Sequence, residues 1–159
     1  MLLINSTKMR VHIILISLLL WSCDSNEPQG EVFVQDGLAM GGYDPVAYFE
    51  QGDARIGDAS TVSVYNGQTY QFTSTKHKAL FDEDPQKYLP AYGGWCAYAI
   101  AESSTKMAPD PTMWQIQDGK LLLFYDDWMT SLTGSLKEEW NTDQDTYLEK
   151  ADANWPSVK

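Results

Sequence analysis

Polar and apolar residues alternate across Val62-Ser63-Val64-Tyr65 and again across Gln68-Thr69-Tyr70-Gln71-Phe72, with Asn66-Gly67 between them. Alternation of period two around Asn-Gly predicts a β-hairpin, because a type I′ turn needs positive φ at both central residues. Ser74 then stands where a helix N-cap belongs, and Ala79, Leu80 and Phe81 follow on a helical period until Asp84-Pro85 interrupts it. Asp84 and Pro85 are suited to cap and open a second short helix through Tyr88. A second hairpin is predicted from Trp114-Gln115-Ile116-Gln117, the turn Asp118-Gly119 and the run at residues 120–125. That last run is apolar on both faces, which predicts a central strand. Leu132, Leu136 and Trp140 recur every four residues, and Tyr147, Leu148, Ala151 and Trp155 share a later face, predicting two amphipathic helices that close the chain. The hairpins share turn chemistry but not sequence, so no internal repeat is expected. The expected fold class is α+β: a small antiparallel sheet built from two hairpins, with short helices and two C-terminal helices.

The first residues follow a different pattern. Lys8 and Arg10 precede an apolar run at residues 11–21 that ends at Ser22-Cys23. A charged start, an apolar stretch and a small residue before a cleavage point form an export signal. The run is about half the roughly 20 apolar residues that span a bilayer, so a cleaved leader is expected rather than a spanning helix. Leu20-Trp21-Ser22-Cys23 resembles the lipobox of bacterial lipoproteins, with Trp21 where a small or β-branched residue is usual. This resemblance implies cleavage before Cys23 and acylation of its thiol; two or more acyl chains give stable anchoring. Met9 is an alternative start. The expected organisation is a leader at residues 1–22, a lipidated Cys23 with a polar tether through residue 36, and one domain at residues 37–159. The expected location is the bacterial cell envelope, outside the cytoplasm.

Charge narrows the classes of partner. The 159 residues carry 11 Lys+Arg against 22 Asp+Glu, and loss of Lys8 and Arg10 with the leader leaves 9 against 22, a net of −13. Phosphate neutralisation needs clustered bases, so nucleic acid is not an expected partner. With Cys23 acylated, Cys96 has no intrachain disulfide partner.

Few side chains remain for chemistry. There is no phosphate-binding Gly-rich loop, no Gly-x-Ser-x-Gly elbow and no His-Glu-x-x-His pair. His77 is the only histidine beyond the leader, and its neighbours Lys76 and Lys78 favour a solvated surface position over a metal-ligand role. Cys96 lies in an apolar run after Gly93-Gly94, where a small buried hydrophobe is expected. Cys96 acting as nucleophile with His77 as base is the alternative, enzymatic reading. Asp44 and Asp110 each precede proline, a setting for turn hydrogen bonds. The aromatic residues Tyr43, Tyr92, Trp95, Tyr98 and Trp114, with Asp44, form the candidate lining of a ligand pocket.

Three segments carry a family resemblance. Gly42-Tyr43-Asp44-Pro45-Val46-Ala47-Tyr48-Phe49, then Tyr65-Asn66-Gly67-x-x-Tyr70-x-Phe72, then Phe81-x-x-x-Pro85-x-x-Tyr88 with Tyr92-Gly93-Gly94-Trp95-Cys96-Ala97-Tyr98, resemble the YHS domain in order and spacing. The resemblance covers residues 37–100 directly and extends to the longer exported form through Asp110-Pro111, Trp114 and residues 151–156. It implies a small α+β module, an extracytoplasmic binding or accessory role, and a metal such as copper or a small molecule as ligand. The cysteines of the short family form match Ala47, Thr73 and His77 here, so the implied thiolate set is absent. His77, Cys96 and the methionines Met40, Met107, Met113 and Met129 are the remaining soft donors.

Overall fold

A computed structural model describes residues 32–127 and 129–158; the leader, Cys23 and most of the expected tether lie outside the described residues. The architecture is α+β. Strands β1 (Val34–Gln35) and β2 (Leu38–Ala39) form a short antiparallel ladder. A left-handed turn leads into α1 (Pro45–Glu50), followed by hairpin β3 (Asp58–Tyr65) and β4 (Gln68–Phe72), then α2 (Thr75–Glu83) and α3 (Pro85–Tyr88). A second left-handed turn leads into α4 (Ala97–Ser103) and hairpin β5 (Asp110–Gln117) and β6 (Lys120–Phe124). Three helices close the chain: α5 (Thr130–Thr133), α6 (Leu136–Trp140) and α7 (Gln144–Asn154). Among the described residues no helix is long and apolar enough to cross a membrane.

The local predictions hold where side chain and backbone agree at short range. Asn66 and Gly67 have φ of 48° and 76°, and Asp118 and Gly119 have 50° and 76°, as two-residue hairpins demand. The Ser74 hydroxyl accepts from His77 N at 3.1 Å to start α2, and Asp84 caps α3 ahead of Pro85. Leu121, Leu122, Leu123 and Phe124 of β6 are all fully buried, in line with their lack of a polar face. The helix expected from Leu132, Leu136 and Trp140 is instead two. Gly134 has φ of 105°, and Ser135 starts α6 afresh with a capping box to Glu138. Leu132 is exposed while Trp140 is buried and donates Nε1–H to Gln117 Oε1 at 2.8 Å. The domain also begins earlier than residue 37, because Val32 and Phe33 are buried and Phe33 N donates to Gly93 O.

The expectation of no internal repeat is overturned. The register of the first hairpin, Asp58↔Phe72, Val62↔Gln71, Ser63↔Tyr70, Val64↔Thr69 and Tyr65↔Gln68, recurs in the second with every residue 52 positions on. Both ladders break at the same place, and in both an aspartate bonds a hydroxyl residue two positions along: Asp58 to Ser60, Asp110 to Thr112. The same spacing relates Met40-Gly41-Gly42, with φ of 56°, 63° and 81°, to Tyr92-Gly93-Gly94, with 53°, 61° and 84°. It relates Asp44 at the start of α1 to Cys96 at the start of α4, and the bond from Asp44 N to Arg55 O to that from Cys96 N to Met107 O. The chain is therefore one unit used twice, at residues 38–88 and 90–140. Identity between the copies includes the turn glycines Gly41/Gly93, Gly42/Gly94 and Gly67/Gly119, which the backbone requires, together with Ala39/Ala91, Ala47/Ala99, Glu50/Glu102, Asp58/Asp110, Phe72/Phe124 and Leu80/Leu132. At other core positions burial is kept while the residue changes: buried Tyr48 answers to Ile100, Tyr70 to Leu122, Tyr88 to Trp140.

Each copy has its own core, with Tyr70, Phe72, Phe81 and Tyr88 in the first and Leu122, Phe124 and Trp140, covered by α7, in the second. A third cluster of Met40, Tyr48, Leu121 and Leu123 joins them, and Tyr48 Oη donates to Pro111 O across the seam.

Candidate functional site

Three places hold the residues that could do chemistry, and the repeat explains two of them. Asp44 is fully buried at the N-cap of α1. Its Oδ1 accepts from Val46 N at 2.9 Å and Ala47 N at 3.2 Å. Its Oδ2 accepts from Thr73 N and Thr73 Oγ1, each at 2.8 Å, and from His77 Nδ1 at 2.6 Å. One carboxylate thus ties α1, the end of β4 and the first turn of α2 together, with both oxygens occupied by donors. His77 is buried, not solvated as its lysine neighbours suggested. Helix α2 turns Lys76 outward and the imidazole inward, where Gln51 Nε2 lies 3.5 Å from His77 Nε2.

Ala47, Thr73 and His77, the positions matched to family cysteines, converge around Asp44. They do not fit a soft metal ion. Ala47 and Thr73 bring no soft donor, His77 Nδ1 is committed to Asp44, and Asp44 is saturated by hydrogen bonds. Among the described residues no group of three or more His, Cys, Asp or Glu side chains could hold a metal ion.

The second place is the copy of this hub. Cys96 stands where Asp44 stands, and the positions of Thr73 and His77 are taken by Tyr125 and Met129. Burial pushes the Cys96 thiol up from its ordinary value; the backbone N–H groups of Tyr125, Ala99 and Tyr98, counterparts of those that bind Asp44, oppose this only in part. The Cys96 side chain is fully buried at the start of α4. His77 and Cys96 belong to different copies, and among the described residues no hydrogen bond joins them. A buried neutral thiol without a base at hand is not an activated nucleophile.

The third place is a groove. A cavity of about 210 Å³ is lined by Tyr65, Asn66, Tyr70, Gln86, Leu89 and Tyr92, with Val32, Pro90, Gly93 and Trp155 completing it. A second, more open cavity of about 260 Å³ shares Gln86, Leu89, Tyr92 and Trp155 and adds Lys87, Gly119, Lys120 and Asp152. The two are lobes of one groove between the hairpin turn of the first copy, at Asn66, and that of the second, at Gly119. Tyr92 stands between them with φ of 53°, a conformation non-glycine residues rarely take. Its hydroxyl donates to Asp152 Oδ1 at 2.9 Å, and burial, aided by that carboxylate, pushes the phenol well above its ordinary range. Lys120 Nζ binds both oxygens of Asp152, at 2.8 and 2.7 Å.

Of the pocket residues expected from the sequence, only Tyr92 lines this groove. Tyr43 packs on the seam cluster and Trp114 meets Tyr48 edge-on within it. Trp95 packs against Phe33, Tyr98 against Tyr147, and Asp44 is the buried hub. Sequence reasoning missed Tyr65, Tyr70, Gln86, Leu89 and Trp155 as lining residues. Their one sequence signal was the turn Asn66-Gly67. Compared with family models, with curated proteins and with solved structures, the chain matches none.

Proposed function

We propose that this chain is a binding module of the YHS type, held outside the cytoplasm by acyl chains on Cys23, with its ligand seat in the groove between the two copies. The observation that carries the binding role is the groove itself: two adjoining lobes, aromatic walls and a few polar groups at a junction of two units, the usual setting of a small-molecule site. The Asp44 hub and Cys96 are structural in this reading. The charged start, the apolar run and Ser22-Cys23 support the anchor.

Two experiments test the two halves. Backbone amide spectra of the full chain, titrated with a mixed panel of small fragments, should shift at Asn66, Gln86, Tyr92 and Gly119. Gln86→Trp, which fills the groove from an exposed helix position, should abolish those shifts; shifts elsewhere, or none, would refute the seat. Mass spectrometry of the protein from its native cells should find an acylated Cys23 at the N-terminus, and an intact leader would refute the anchor.

A further inference from the structure

The lining of the first lobe restricts what it can hold. Tyr70 is 1% exposed and lines the cavity. Its hydroxyl bonds to no described residue, yet among the described residues no fully buried side-chain polar atom lacks a partner. The hydroxyl therefore opens onto the cavity as a donor with nothing to bind. Gln86, which lines the lobe, donates Nε2–H to Tyr65 Oη at 2.8 Å and keeps its amide oxygen as an acceptor. Asn66 at the turn adds a second amide. No Asp, Glu, Lys or Arg lines this lobe. In the second lobe the charges are paired: Lys120 with Asp152, and Lys87 with Tyr88 Oη at 2.9 Å and Glu50 at 3.6 Å.

From this we infer that the first lobe seats a single uncharged ring with hydrogen-bonding groups on its rim, the chemistry shared by a pyranose and a nucleobase, and that Tyr70 is the donor that selects it. This rests on the groove being the ligand seat. A purely hydrocarbon ring would leave the Tyr70 hydroxyl unpaired and so bind more weakly. A charged molecule would lose its hydration with no counter-charge to meet it. Amide groups, which both donate and accept, suit hydroxyls or lactam edges, and Tyr65, Tyr92 and Trp155 supply flat apolar walls. At about 210 Å³ the lobe is smaller than pockets for drug-sized ligands, roughly 300–1,000 Å³, and holds one ring.

Saturation-transfer spectra of the full chain test this with four probes: methyl glucoside and adenine as the neutral arms, glucuronate and orotate as charged rings of similar size. One neutral arm should bind and identify the source, and both charged rings should not. Tyr70→Phe removes one hydroxyl that no protein group uses, so it should leave the melting temperature unchanged while weakening the neutral ring roughly 3- to 10-fold. Charged rings binding as well as neutral ones and being lost in Gln86→Trp, or full affinity in Tyr70→Phe, would overturn the ligand class and leave the groove standing. No binding by any of the four probes would overturn the class as well, and the fragment titration above then decides whether the seat itself fails.

Discussion

Asp44 shows how one residue can be read correctly from its neighbours and still be under-read. A capping role follows from Asp-Pro at a helix start; the bonds to Thr73 and His77 depend on residues about 30 positions away. Removing the carboxylate leaves five donors without their acceptor, so Asp44→Ala should lower stability by about 3–5 kcal/mol in urea unfolding, with the slope unchanged. His77→Ala leaves four of those bonds in place and should cost less than half as much. Equal losses would mean that the imidazole, not the carboxylate, organises the hub. Cys96 gives the complementary prediction. A fully buried thiol whose titration is pushed up by burial should resist alkylation at pH 8 in the folded chain and react once urea unfolds it. Fast labelling of the native protein would restore the thiol-enzyme reading.

At the scale of elements, the first hairpin depends on close approach at one glycine. A Cβ on Gly57 would lie 2.5 Å from the backbone carbon of Gln71. Gly57→Ala should therefore push β3 off β4 and cost about 1–3 kcal/mol or more, whereas a change at the open Gly52 involves only its own backbone strain. A melting temperature unchanged in Gly57→Ala would show that the β3 entry gives way freely. Both hairpins, the caps at Ser74 and Asp84 and the buried β6 were legible in the sequence, because each depends on residues within a few positions of one another. The repeat was not. Its copies agree in φ, register and burial, and a pairing such as Tyr88 with Trp140 or Asp44 with Cys96 has no trace in residue identity. The groove was also hidden, since its walls come from a hairpin turn, α3, the turn before α4 and the C-terminal Trp155. Aromatic residues near one another in sequence, such as Trp95 and Tyr98, instead went to separate packing contacts.

Across the whole molecule, buried phenols set the response to alkali. Tyr48 and Tyr92 are pushed far above the ordinary value of 10.0 chiefly by burial, and Tyr70 to about 12. Each folded-state pKa is raised, so its contribution is complete below pH 10 and is lost as pH rises through the folded value, because the unfolded chain ionises first. Between pH 10 and 12 each phenol should remove up to about 1.4 kcal/mol of stability per pH unit. The full chain should unfold sharply in that window, and Tyr70→Phe should shallow the slope; a stability flat to pH 12 would show that these phenols ionise in the fold.

Two copies of one unit that meet at a groove form the centre of this account, and binding at that junction is its claim. The most direct test is the map of backbone amide shifts on adding the neutral ring that binds. The account predicts shifts at Asn66 in the first hairpin turn and at Gln86, together with Tyr92 and Trp155. Shifts centred on Asp44, Thr73 and His77, with the groove unmoved, would contradict it.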